Sequence, residues 1–561
     1  MSSNMMEGYR LSPHQHRLWA TRSLHTTNSI CVILITGTLE PEALKATLLD
    51  LVRRHEVLRT VYRRPPGMRA PLQVILDESE ICWQYIDRRN EGPETDIQDT
   101  KPFVQAERER VFNLEHGPLL SATLVRFSED RAELILAIPA LCADCRSLLL
   151  LVRDLFKQLY VGAPLPADAE EAVQFVQFSE WHNELLQTPE AAEFRSREPE
   201  EKVVSAIGTQ LPFSADPGDR QTFMPEILPI AFDSDLLTKS ELLTRRGWTL
   251  ADFLRACWVA LISRLTATRD VRIGLYFDGR EFEEIQDAVG LFARYVPVRF
   301  SLQAEEPFAT VLKRVQETTQ ELSETHTYVD LSGFVDAEGN PLPFGLAFSY
   351  EARQSEFVSD DAVFTITQFF GYPDRVALSL QSVQTESALM LELHYDPACY
   401  GKEEIQRLAG QFVKLLQSAL AQPDAPIDTL DILPQDQRHQ LLVEWNQTGK
   451  DFPNLCVHHL FERFASSNPD AIALVAGGKS LTYRELNNRA NQLAHWLYLA
   501  GVQPNNTVGL FLYRSIEAIV GLLAILKAGA AYLPLDPAFP KERLQFMLKD
   551  SQTNLVLTQQ S

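Results

Sequence analysis

The sequence predicts an α/β protein of several folding units, on three observations. Its 561 residues exceed what one hydrophobic core usually organises. Short apolar runs of strand character alternate with amphipathic stretches at helical spacing. Two successive α/β stretches of about 200 residues suggest a two-lobed domain.

The first stretch, residues 9–161, contains the apolar run 30–35. In residues 44–55, Leu44, Leu48, Leu51 and Val52 recur at helical spacing. Residues 134–139, LILAIP, read as a buried strand ended by its proline. Residues 145–160 read as a helix with Leu148, Leu149, Val152, Leu155 and Phe156 on one face. Strand, short loop and helix in that order place the loop at the edge of a cleft. Residues 162–217, rich in Pro, Ala and Glu and including the run EFRSREPEEK, read as connecting structure with a surface helix. The second stretch, 226–418, alternates strands and helices, with VRIGLYF at 271–277 as a strand.

A linker with Pro423, Pro426, Pro434 and Pro453 follows. Residues 455–561 open on a helical pattern, VHHLFERFASS, and continue through strand-like IALVAG and VGLFL to an apolar helix before Gly529. They stop at Ser561 on a strand-like run, so this last domain is expected to be cut short. The expected division is 1–175 and 176–430 as two lobes, 431–454 as linker and 455–561 as a partial third domain.

Hydrophobic residues at 45% and charged residues at 23% are those of an ordinary globular protein. Lys plus Arg number 52 against 75 Asp plus Glu, a formal charge of −23. That excess argues against a nucleic-acid groove or an anionic membrane surface as partner. Residues 1–10 carry no secretory signal pattern. The longest apolar stretch, 518–533, is broken by Lys527 and Gly529 and reads as a buried helix running into a strand. Seven cysteines, scattered except for Cys142 and Cys145, fit a reducing compartment, so a cytoplasmic location is expected.

Several motifs occur in order: LSPHQHRLW (11–19), RRHEVLRTVY (53–62), VQFSEW (176–181) and VGLFARYVPVR (289–299). On these, residues 1 to about 430 resemble the condensation domain of nonribosomal peptide synthetases. In the last motif Gly290 and Phe292 agree with the family, while Ala293 and Arg294 depart. LTYRELN (481–487) and LKAGAAYLPLDP (526–537) make residues 455–561 similar to the start of an adenylation domain. The resemblance implies two lobes like those of chloramphenicol acetyltransferase, arranged in a V, followed by a partial adenylate-forming domain. It also implies phosphopantetheine arms of carrier proteins as substrates, with aminoacyl or peptidyl carrier proteins as partners.

The family's catalytic motif, His-His, three residues, Asp-Gly, fails here. Its counterpart is PALCADC, 139–145. Pro139 and Ala140 take the histidine positions, and neither can accept or donate a proton. Asp144 keeps the Asp position and Cys145 replaces the Gly. The heterocyclisation variant of the motif is matched only by Asp144 and Ser147. The resemblance implies that Asp144 is structural and pairs with an arginine, for which Arg59 is the candidate. Cys142 and Ser147 are the possible substitutes for the lost groups, although the Cys-x-x-Cys spacing of Cys142 and Cys145 also fits two small buried side chains. His55 and the pair His458-His459 read as helix residues rather than acid–base groups. Gly477 to Lys479 reads as a hairpin turn, not a phosphate loop.

No cofactor-binding or metal-ligating residue is therefore expected in this chain. ATP and Mg would belong to a complete adenylation domain. Three functional readings follow. The first is a non-catalytic scaffold that docks a carrier protein or recruits a tailoring enzyme in trans. The second is an acyl transferase that condenses thioesters without the usual histidine. The third is a relic that packs on the adenylation domain.

Overall fold

The computed structural model describes residues 8–21, 27–68, 70–89, 100–162, 173–197, 206–215, 223–232, 240–336, 339–386 and 388–559. Residues 1–7 of the N-terminal reading, the 198–202 end of the EFRSREPEEK run and Ser561 lie outside them. The chain divides into two compact units, Met1–Leu441 and Leu442–Ser561.

The first unit holds two six-stranded sheets. One has the strand order Glu356–Val358, Ala362–Phe370, Asn28–Gly37, Arg131–Pro139, Ser121–Arg126 and Cys82–Asp87. Asn28–Gly37 lies inside this sheet, and its Ile30, Cys31, Val32 and Ile33 are fully buried. A continuous apolar run is what a strand covered on both faces requires. Helices Lys101–Arg108 and Cys145–Phe156 pack on it, and helix Pro41–Arg54 packs on Cys145–Phe156. A small sheet of Tyr9–Arg10, Leu72–Ile75 and Thr60–Arg63 lies in the same half of the sequence.

The other large sheet has the order Arg294–Ser301, Asp270–Phe277, Phe344–Ala352, Val376–Gln384, Leu389–Tyr395 and Glu226–Pro229. Helix Leu250–Thr266 packs between helices Phe308–Thr325 and Lys402–Ala421 and against strand Asp270–Phe277. Trp258 of the first meets Phe412 of the last edge-to-face at 5.8 Å, a favoured aromatic geometry.

The two sheets exchange chain. After Phe344–Ala352 the polypeptide leaves its own sheet, and strand Ala362–Phe370 pairs antiparallel with Asn28–Gly37, Ile366 opposite Ile33. It then returns as Val376–Gln384, parallel to Phe344–Ala352. Residues 356–370 thus complete the first sheet from beyond the expected division at residue 175.

The second unit begins with helix Val457–Ser467 and a hairpin of Ile472–Ala476 and Lys479–Thr482. Gly477 and Gly478 take positive φ of 57° and 77° in its turn, a conformation only glycine adopts without strain. Three parallel strands follow in the order Ala531–Leu535, Thr507–Phe511 and Leu555–Leu557. The long apolar stretch is helix Ile516–Lys527 followed by strand Ala531–Leu535. Helix Gln435–Leu442 occupies the start of the expected linker. No helix among the described residues is long and apolar enough to cross a membrane.

Candidate functional site

Residues 139–145 join strand Arg131–Pro139 to helix Cys145–Phe156. Asp144 caps that helix, its Oδ1 accepting the Ser147 N–H at 2.9 Å. An aspartate at this position satisfies an amide that the helix leaves free. The same carboxylate binds Arg280 through both terminal nitrogens, at 2.9 and 3.0 Å. Its Oδ2 also accepts the backbone N–H groups of Phe292 and Ala293, each at 2.9 Å. Burial pushes the Asp144 pKa up, but the Arg280 charge and these hydrogen bonds outweigh burial and hold it below its ordinary 3.8.

Arg280, not Arg59, is therefore the partner of Asp144. Arg59 ends the short helical turn Glu56–Arg59, where its guanidinium donates to the Leu76 carbonyl and lies 3.6 Å from Glu56. The local turn directs it along its own segment. Arg280 follows strand Asp270–Phe277 in the other lobe, 136 positions from Asp144. Spacing in the sequence carries no signal for that pairing; the nearest cue is the Asp278-Gly279 turn, with Gly279 at φ +72°.

The remaining loop residues have no chemistry to offer. Ala140 is buried, and its N–H donates to the Thr27 carbonyl at 3.1 Å. Cys142 is fully buried beneath the Tyr62 hydroxyl, 3.5 Å away, and burial pushes its thiol pKa up to about 12. Cys145 packs so closely on Gly371 that a Cβ there would lie 2.2 Å from its sulfur. Burial, with the negative charges of Glu351 and Asp144 adding, raises its pKa well above the ordinary value. Both cysteines are held as thiols, the unreactive form. Among the described residues they belong to no cluster of three or more metal-ligating side chains.

Ser147 is equally committed. Its Oγ lies 2.8 Å from both Asp144 Oδ1 and the Gly290 carbonyl, and accepts the Gly290 N–H and Arg280 Nη2 at 2.9 Å each. The two suggested substitutes, Cys142 and Ser147, are thus both buried, with Cys142 against Tyr62 and Ser147 bonded to Asp144, Gly290 and Arg280.

Among the other motif residues, Gln15 reaches this loop, while Arg17, Arg294 and His55 are engaged elsewhere. Gln15 donates to the Leu141 carbonyl at 3.0 Å and reaches Tyr62 and Gln73 at 3.2 Å each. Arg17 forms a buried 2.8 Å ion pair with Asp374. Arg294, one of the departures from the family, is buried and donates to the carbonyls of Val329 and His326. Burial lowers its pKa to about 10. His55 sits buried 4.0 Å from Asp154, with its Nε2 unbonded and its pKa lowered by burial to about 4. It is neutral, as core histidines are.

One polar chain near the loop has no counterpart in the sequence reading. Tyr372 Oη lies 3.2 Å from His394 Nδ1, and His394 Nε2 lies 2.8 Å from Glu392. His394 and Glu392 are two apart on one strand and so share a face. That spacing was the available signal; Tyr372 arrives from the segment returning between the sheets.

The Condensation domain family matches residues 5–442, and the AMP-binding enzyme family matches residues 461–561. Tyrocidine synthase 3 of Brevibacillus parabrevis is 30% identical over 573 residues, covering 99% of this chain and 8% of that protein. Chondramide synthase cmdD of Chondromyces crocatus is 32% identical over 571 residues, covering 98% of this chain and 14% of its own. The chain thus spans 8% and 14% of these curated relatives. In fold it resembles holo-AB3403, a four-domain nonribosomal peptide synthetase bound to AMP and glycine. That match has TM-score 0.73 at 19% identity and covers all of this chain and 44% of the other. It also resembles the complex of the X-domain and OxyB from teicoplanin biosynthesis, with TM-score 0.61 at 20% identity over 78% of this chain and 99% of the other. A family match across residues 5–442 and relatives at this identity place the chain in the condensation-domain family of nonribosomal peptide synthetases, with the N-terminal part of an AMP-binding domain behind it.

Proposed function

We propose that residues 1–441 serve, within a cytoplasmic nonribosomal peptide synthetase, as a non-catalytic condensation-like scaffold. It docks an aminoacyl or peptidyl carrier protein, or recruits a tailoring enzyme in trans. One observation carries this reading. The loop is held through Asp144, bonded to Arg280 and to the Phe292 and Ala293 amides, while Pro139, Ala140, Cys142 and Cys145 supply no group that moves a proton at neutral pH. The likeness to an X-domain solved with OxyB supports the recruiting form. Phosphopantetheine enters as the carrier's arm, and ATP with Mg belongs to the complete adenylation domain.

A second reading, acyl transfer without the motif histidines, is favoured by the Tyr372–His394–Glu392 chain alone. A histidine held by a carboxylate and aimed at a hydroxyl is a general-base arrangement, and positioning already accelerates attack on an activated thioester.

The test joins residues 1–561 to the complete downstream module, with both carriers loaded and thioester-bound products read by mass spectrometry. Ala140→His and His394→Ala variants run beside it. The scaffold reading expects no condensation product from the unaltered chain and measurable binding of the loaded carrier. Product that disappears in His394→Ala establishes the second reading instead.

A further inference from the structure

The second unit carries a feature that neither reading uses. Cys456, His458 and His459 each offer a ligating atom, and these atoms all lie within 4.8 Å of one another. Cys456 is the N-cap of helix Val457–Ser467, its side chain makes no capping hydrogen bond, and the His459 N–H is bonded to its carbonyl at 3.0 Å. The first helical turn therefore fixes the three positions while leaving the thiol free. Among the seven cysteines Cys456 is the exposed one.

We propose that Cys456, His458 and His459 form a zinc site with three protein ligands and one open position.

The chemistry of the donors supports zinc. One thiolate and two imidazoles are the borderline-soft N/S set that zinc takes, at about 2.3 Å for sulfur and 2.0–2.1 Å for nitrogen. Tetrahedral ligands at those lengths lie about 3.5 Å apart, and the three ligating atoms here lie within 4.8 Å of one another. Lys527, the nearby cation, is bound to Glu462 and Asn487 and so is partly neutralised. Of the three ligands, His459 lines an open groove together with Pro453, Leu455 and Glu462. Bound metal would pin Cys456, the residue before helix Val457–Ser467, to the first turn of that helix.

The experiment titrates Co²⁺, the spectroscopic substitute for zinc, into the full 561-residue chain, reduced and metal-free. The expected result is a thiolate-to-cobalt charge-transfer band that saturates at one equivalent, with intense visible bands of four-coordinate cobalt, both abolished by one equivalent of Zn²⁺. Cys456→Ser removes the charge-transfer band. His459→Gln weakens binding at least about tenfold, since loss of even a supporting group around a metal costs that much. Both residues are exposed, and an unchanged circular dichroism spectrum verifies that each variant folds. No charge-transfer band at equimolar cobalt, or a band that survives Cys456→Ser in folded protein, overturns the proposal.

Discussion

Arg280 meets Asp144 with both terminal nitrogens, at 2.9 and 3.0 Å, and each side chain is 1% exposed. The pair lies between the lobes and fixes the loop that carries the family's catalytic positions. Removing one partner of a buried pair strands the other charge, at a cost of about 3–5 kcal/mol. Arg280→Met is therefore expected to lower unfolding stability by that amount in urea titrations. Arg59→Ala, with a more exposed side chain bound to its own segment, is expected to cost about 1 kcal/mol or less. Equal losses from the two substitutions would refute the assignment.

Acid should weaken the first unit in two stages. His14 and His182 are buried, and burial lowers their pKa values from 6.5 to about 4 and about 3. Above pH 6.5 neither state binds the proton and their stability contribution is complete. As pH falls below 6.5 the unfolded chain takes protons that the native state refuses, so stability declines until the folded pKa is reached. For His14 that loss amounts to ~3 kcal/mol. Asp144, with its pKa held low, adds its loss only below its ordinary 3.8. Urea midpoints of the parent and His14→Gln from about pH 7 to about pH 4.5 check this, the variant showing the shallower slope. A flat parent profile would contradict it.

Thiol chemistry should separate the cysteines cleanly. Cys456 is exposed, whereas Cys142 is fully buried with its pKa near 12. Brief maleimide treatment of native protein, mapped by peptide mass spectrometry, should label Cys456 and leave Cys142 unmodified until denaturant is added. Prompt native labelling of Cys142 would restore it as a candidate nucleophile.

Gly290 is a packing requirement. A Cβ built there would lie 2.2 Å from the Phe175 ring, and its backbone also contacts Ser147. Gly290→Ala should destabilise the first unit by about 1–3 kcal/mol through overpacking, as thermal unfolding would read. The Phe175→Leu background should recover part of that loss.

Local features were legible in the sequence. The strand ending at Pro139, the helix beginning at Cys145, the strand over 271–277 and the Gly477-Gly478 turn all follow from apolar period and turn chemistry. The loss of a proton carrier at Pro139 and Ala140 is equally readable, because it depends on residue type alone. What was not readable depends on contacts distant in the chain. Arg59 and Arg280 are alike as residues, and only the folded path shows which one reaches Asp144. Nor does period reveal that Ala362–Phe370 pairs with Asn28–Gly37, since an alternating strand fits any sheet that covers one face. The commitment of Ser147 and Cys142 is a matter of neighbours, Gly290 and Tyr62, and no motif encodes those.

The exchanged strand has a practical consequence for anyone dissecting this protein. A fragment ending near residue 175 would keep Asn28–Gly37 but lose the strand hydrogen-bonded along it from Gly37 to Ile30. That leaves a long apolar ribbon with an open ladder, the template on which β-proteins aggregate. Supplying residues 356–370 as a separate peptide, or grafting them behind the fragment through a flexible tether, should turn an insoluble half into a soluble one. The two lobes are thus heritable only as a pair: recombination that swaps one without the other breaks a sheet rather than joining two modules.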